Sequence, residues 1–190
     1  MKKDKNRILV VDIETTGFSP SGACIVEVGI VALDLESGDT EILLDTLVDE
    51  EAFDEEHHSA WIFENSDLTV GEVEEKGRHG GEVYKEVQEI LDAFPLGVTA
   101  FNKSFDFRFL RDRGVNILRE LECPMLLATD ICKLPNLSQY GGYKWPKVEE
   151  AWAFFRPGEK YKEAHRGADD AVHEAGIIHA MYLRGDFDVI

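Results

Sequence analysis

One stretch near the N-terminus constrains the fold more than any other. Arg7-Ile8-Leu9-Val10-Val11 is short, β-branched and apolar, and it runs straight into Asp12-Ile13-Glu14. The apolar part reads as a buried central strand. Strand side chains two apart share a face, so Asp12 and Glu14 project together where the backbone leaves the sheet. Two carboxylates this close resist joint ionisation. A divalent cation relieves the repulsion, because hard cations take oxygen ligands. For a lone D-x-E the plainer alternative is a solvent-facing aspartate beside an ordinary turn acid. Placement after a buried strand, ahead of the turn Thr15-Thr16-Gly17-Phe18-Ser19-Pro20, favours the cation site.

Ile25 to Leu33 and Thr40 to Val48 are further strand candidates, divided by Ser37-Gly38. Three strands with short connections favour an antiparallel meander. The pattern then turns helical. Val83, Val87, Ile90, Leu91 and Phe94 place a helix over Glu82–Phe94, stopped by Pro95. Leu96 to Phe101 reads as a fourth strand, Phe105 to Arg113 as a helix ended by Gly114, and Pro124 to Ala128 as a fifth strand. A short helix capped at Thr129 or Asp130, a helix over Lys147–Phe155 and a last helix over Ala168–Leu183 complete the order. The expected fold class is α/β, a mixed five-stranded sheet with three antiparallel N-terminal strands and flanking helices. The loops 49–78 and 135–147 are long, and long loops tend to carry function. Without a repeat or low-complexity linker, residues 1–190 read as a single domain.

Composition bears on location and partners. No run of about 18 apolar residues exists, so no membrane helix is expected. Met1 to Lys5 is basic like a signal peptide's start, but Asp12 and Glu14 interrupt the apolar stretch that follows. Cys24, Cys123 and Cys132 lack CxxC spacing and read as reduced thiols of a cytoplasmic protein. The net charge of −18 argues against long duplex nucleic acid. Lysine and arginine are absent between Arg7 and Lys76 and gather from Lys103 onward, so one face is expected to be mildly positive.

Two more constellations carry chemistry. Asn102-Lys103-Ser104-Phe105-Asp106 follows a strand and opens a helix, where the dipole favours the Asp106 carboxylate. A helix-start charge with no ligand is an equal reading for Asp106, and a turn residue for Asn102. His165-Arg166-Gly167-Ala168-Asp169-Asp170 places a histidine just ahead of the last helix and acids in its first turns. Here a surface histidine and helix-start acids are an equal reading.

Together the three segments resemble the motifs of the DEDDh-type 3′→5′ exonucleases, a family that includes polymerase proofreading subunits, ribonuclease T and oligoribonuclease. The matching residues are Asp12-Ile13-Glu14-Thr15-Thr16-Gly17, then Asn102-x-x-Phe105-Asp106, then His165 with Asp170 five positions on. Phe101 stands where many members have histidine, and Gly167 where alanine is common. The neighbour Asp169 leaves a register ambiguity, which the family spacing resolves toward Asp170.

The resemblance implies a ribonuclease H-like fold and two Mg²⁺ or Mn²⁺ ions about 3.5–4 Å apart. Asp12, Glu14, Asp106 and Asp170 would be the metal ligands. His165 would be the general base, since histidine ordinarily titrates near working pH. Thr15, Thr16, Phe18, Asn102 and Phe105 would receive the terminal nucleotide, with stacking suited to a single-stranded 3′ end of DNA or RNA. Arg108, Lys144, Lys147 and Arg166 are candidate phosphate contacts. A homodimer, or a separate polymerase chain, is the partner such relatives suggest. Two rival readings stand beside this one. Asp12-x-Glu14-x-Thr16 is also similar to the nucleophile loop of haloacid dehalogenase-like phosphatases, and a nonenzymatic nucleic-acid-binding module could use the same fold.

Overall fold

β1 (Arg7–Thr15), β2 (Ile25–Asp34) and β3 (Thr40–Asp49) form the antiparallel meander that the sequence suggests. The computed structural model describes residues 6–137 and 141–189; the basic start, Met1 to Lys5, and part of the loop 135–147 lie outside them. β4 (Arg78–His79) and β5 (Val98–Thr99) pair in parallel with β3 and β1, so the mixed sheet has the order β4-β3-β2-β1-β5.

Strand parity decides what each face of β1 meets. Leu9, Val11 and Ile13 pack on one side, against Val83 and Val87 of helix α3 (Gly80–Ala93) and Phe107, Phe109 and Leu110 of α4 (Lys103–Asp112). Ile8 and Val10 pack on the other, with Ile177, Ile178 and Met181 of the C-terminal helix (Gly167–Arg184). Each fully buried side chain of this kind contributes about 1.5–3 kcal/mol. Asp12 and Glu14 continue the parity of Ile8 and Val10. They emerge from the core under the N-terminal end of that last helix.

Two departures from the sequence reading are physical. Pro124 to Ala128 is not a strand but the start of a helix, Pro124–Cys132, with proline at its first position. Proline loses nothing there, because the first helical N–H has no intrahelical partner, and a short apolar run does not by itself distinguish helix from strand. Thr129 accordingly lies inside this helix, donating to the Met125 carbonyl at 2.8 Å, rather than capping one. The fifth strand is instead the two-residue edge piece β4, and Glu120 adds a single parallel bridge to Val98.

The long loop after β3 also has structure of its own. It holds a 3₁₀ turn (Glu55–His57), α1 (Trp61–Asn65) and α2 (Val70–Lys76). Ile62, Leu68 and Val73 close a small core on Val26 of β2. In chain order the remaining helices are α5 (Pro124–Cys132), α6 (Val148–Phe155) and α7 (Gly167–Arg184). Among the described residues, no helix is long and apolar enough to cross a membrane.

Gly29 sets the distance between sheet and last helix. It pairs with Asp12 across β1 and β2. A Cβ there would stand 2.1 Å from the Gly167 carbonyl carbon and 2.2 Å from the Ala168 nitrogen. The N-terminal end of α7 therefore rests backbone-to-backbone on the strand beside Asp12. A Cβ at Gly167 would in turn meet the Gly29 nitrogen at 2.8 Å, so a glycine on each side permits the contact.

Candidate active site

A cleft of about 330 Å³ opens at the C-terminal end of β1, lined by Asp12, Glu14, Phe18, Asn102, Phe105, Asp106, Glu163, His165 and Glu174, among others. Three elements deliver the acids. β1 presents Asp12 and Glu14. Asp106, in the first turn of α4, is buried and accepts a hydrogen bond from the Ile13 backbone N–H at 3.3 Å, which ties that helix to the strand. Asp170, in the first turn of α7, is buried, whereas Asp169 is exposed and pairs with His173 at 3.6 Å. Burial thus selects the same aspartate as the motif spacing.

Asp170 also shapes the loop in front of it. Its Oδ1 accepts from the Tyr161 hydroxyl and from the Ala164 N–H at 3.1 Å, and its Oδ2 from the Arg166 N–H at 2.9 Å. The residues on both sides of His165 are therefore bound to this carboxylate. His165 itself adopts a left-handed φ of +54°, uncommon for a non-glycine residue. Its ring meets Trp61 edge-on, with centroids 4.8 Å apart. Ligand atoms of Glu14, His165 and Asp170 all lie within 4.8 Å of one another.

Electrostatics shows what this grouping costs. Burial, then the neighbouring Glu174 carboxylate, pushes Asp12 well above the usual carboxylate range. Burial, then Asp170, does the same to Glu14. Burial takes Asp106 up to about 7, against opposing backbone hydrogen bonds. Burial and Asp170 take Glu163 to about 7. Among the described residues, Asp12 Oδ2 is buried without any hydrogen-bond partner. Oxygen donors, mutual repulsion and an orphaned buried oxygen are what a divalent-cation site requires, so the residues present fit Mg²⁺ or Mn²⁺.

A pH effect follows. Carboxyls with a raised folded pKa hold more protons when folded than when unfolded, so stability is lost as pH rises through the gap. Without metal, the melting temperature is expected to fall between roughly pH 4, the ordinary carboxylate range, and about 7, the value reached by Asp106 and Glu163. Added Mg²⁺ should restore more stability at the upper end of that window than at the lower. Melting curves in EDTA and in Mg²⁺ across the window check both statements. A metal-free melting temperature that climbs throughout it would refute them.

The nucleotide-contact candidates divide. Phe18 is 85% exposed, Phe105 is half-buried against Phe109, and both line the cleft with Asn102. Thr15 and Thr16 spend their hydroxyls within the turn. Thr15 donates to the Gly17 carbonyl at 2.7 Å, and Thr16 accepts from the Cys24 N–H at 2.8 Å. α4 and the residue after it hold this turn from the side: Arg108 donates to the Phe18 carbonyl, and Arg113 to the Pro20 and Ala23 carbonyls.

The expected mildly positive face is not found at the cleft. Among the described residues, its lining carries the carboxylates of Asp12, Glu14, Asp106, Glu163 and Glu174 and no lysine or arginine. Arg166 forks onto Glu27 at 2.9–3.1 Å, and Lys144 pairs with Glu150 at 2.5 Å. Glu163, Glu174, Tyr161 and Trp61 are the residues that sequence reasoning missed. Only Glu174 had a signal, its spacing of four from Asp170 on one helix face.

The exonuclease family model RNase T matches residues 9–177. The chain belongs to the RNase T exonuclease family. No curated protein sequence matches it significantly. Among solved structures, the nuclease domain of 3′hExo, a DEDDh family member bound to rAMP, aligns with TM-score 0.67 and 16% identity over 96% of both chains. E. coli Exonuclease I in complex with a dT13 oligonucleotide aligns with TM-score 0.68 and 11% identity, over 93% of this chain and 41% of that one. S. pombe Pop2p, in a Mg²⁺- and Mn²⁺-bound form, aligns with TM-score 0.67 and 10% identity, over 93% of this chain and 83% of that one. The chain spans 61% of a full-length 3′-exonuclease that it also resembles. These likenesses establish the ribonuclease H-like exonuclease fold. With the RNase T family match, they set the phosphatase reading aside.

Proposed function

We propose that this RNase T family chain is a metal-dependent 3′→5′ exonuclease that releases nucleoside 5′-monophosphates from single-stranded or short DNA or RNA. The observation that carries it is the meeting of Asp12, Glu14, Asp106 and His165 at one cleft, with Asp170 beside Glu14 and His165 and with Asp12 Oδ2 buried and unpartnered among the described residues. The four acids would hold two Mg²⁺ or Mn²⁺ ions. Once bound, the ions would stabilise charge on the scissile phosphate and on the leaving 3′-oxygen. His165 takes the proton of the attacking water on an imidazole nitrogen, and the loop bound to Asp170 holds the ring close to Glu14. Phe18 and Phe105 wall in the terminal base, and Asn102 offers a polar contact beside it. The solved neighbours that hold oligonucleotides, a mononucleotide, and Mg²⁺ and Mn²⁺ support this reading.

The test uses matched DNA and RNA oligomers carrying label at the 3′ end, with Mg²⁺ or Mn²⁺. Labelled mononucleotide should appear first, and EDTA should stop its release. His165→Ala should lower the rate about 10²-fold or more, the range for loss of a general base. An undiminished rate in that variant would remove His165 from its role. If wild type and Asp12→Ala bind the oligomer equally and neither degrades it, a nonenzymatic binding module on this fold is the correct reading.

A further inference from the structure

Outside the four motif acids, one buried carboxylate is aimed at the same cleft. Glu174 lies one helical turn beyond Asp170 on α7 and is 3% exposed. Its Oε2 accepts the Phe101 N–H at 3.2 Å, where β5 passes into α4. It lines the cleft with Asp12, Glu14 and Asp106. Among the described residues, no lysine or arginine pairs with it. Its charge acts on Asp12 more strongly than that of any other acid. Glu174 in turn feels Asp106 and Asp170. A lone buried carboxylate is costly unless it is paired or faces a cation. Burying one among four others makes sense where cations neutralise the group.

We propose that Glu174 is a fifth acid of the cation site, a positioning residue that strengthens divalent-cation binding while tying the start of α4 to α7. The inference rests on the proposed function, since it assumes that the cleft binds divalent cations. Glutamine separates this role from a structural one. Glu174→Gln keeps an oxygen to accept the Phe101 N–H and turns the charged carboxylate into a neutral amide of nearly the same shape. A glutamate kept solely for that hydrogen bond would lose nothing by the change.

The experiment is calorimetric titration of Mn²⁺ into metal-free wild type and E174Q, full chains, alongside their melting curves without metal. For E174Q, the Mn²⁺ Kd is expected to rise about tenfold, the lower end of what residues supporting a metal site contribute. Its metal-free melting temperature should equal or exceed that of wild type. Glu174→Asp, which keeps the charge, should recover part of the affinity. A Kd less than threefold above wild type, or an E174Q protein that melts well below wild type without metal, would overturn the role given to Glu174. Either result leaves the nuclease reading intact. Wild type that binds no Mn²⁺ would overturn both.

Discussion

Replacing Asp12 with asparagine is expected to cut release of mononucleotides by roughly 10³-fold or more and to leave the metal-free protein folded. The magnitude follows from chemistry. A metal ion supplies several kcal/mol of charge stabilisation in the transition state, and each 1.36 kcal/mol is a factor of ten in rate. Asp12 stands centrally for that purpose. It neighbours Glu174, Glu14, Asp106 and Asp170 in the field of the site, and its Oδ2 has no partner among the described residues. Asparagine fills the same volume but presents a neutral amide, so it breaks no packing. Removing a desolvated charge from among like charges should leave the metal-free melting temperature unchanged or raised. Activity and metal-free stability are therefore predicted to move apart. If D12N kept more than a tenth of wild-type turnover in Mg²⁺, Asp12 would not be a ligand of the catalytic ions.

Gly29→Ala is the change expected to damage the fold most for its size. One methyl group would have to fit where the backbone of Gly167 and Ala168 lies 2.1–2.4 Å from the new carbon. Both sides are rigid: a strand in the middle of the sheet and the first turn of α7. Overpacking typically costs 1–3 kcal/mol, and two facing backbones put this case at about 3 kcal/mol or more. For a chain of this length, each kcal/mol moves the melting temperature by about 2–4 °C, so a fall of roughly 6–12 °C is expected. Activity should drop as well, because lifting the end of α7 carries Asp170 and the His165 loop away from β1. A misplacement of about 1 Å in a catalytic group can cost 10²-fold. Gly71→Ala is the control. It lies in α2 with nothing within 4 Å of a new Cβ, and alanine suits a helix better than glycine. Melting curves and turnover of the two variants test the account. A stable, active G29A protein would mean that α7 does not depend on this close approach.

The two predictions mark what could be read from the chain alone. Period-two alternation in β1 was enough to place Asp12 and Glu14 on one face, because a strand has only two faces and the acids share the parity of Ile8 and Val10. Turn and helix-start chemistry placed Asp106 at the beginning of α4 and His165 in the loop before α7. These are local properties of backbone geometry. Pro124 to Ala128 is ambiguous for an equally local reason: five apolar residues satisfy either period, and the packing against Phe101 and α6 makes the choice.

What sequence alone determined, then, was the strand meander, the helices flanking it and the acids each segment offers, since periodicity, caps and turn residues act within a few neighbours. Tertiary structure decided which of those charges face one another. Arg166 turned to Glu27 rather than to a phosphate, Asp170 took hold of the His165 loop, and Glu163 and Glu174 joined the cleft. Pairings of this kind arise only when elements distant in the chain are packed together. The backbone contact of Gly29 with Gly167 is the point at which that packing brings the last helix down onto the first strand.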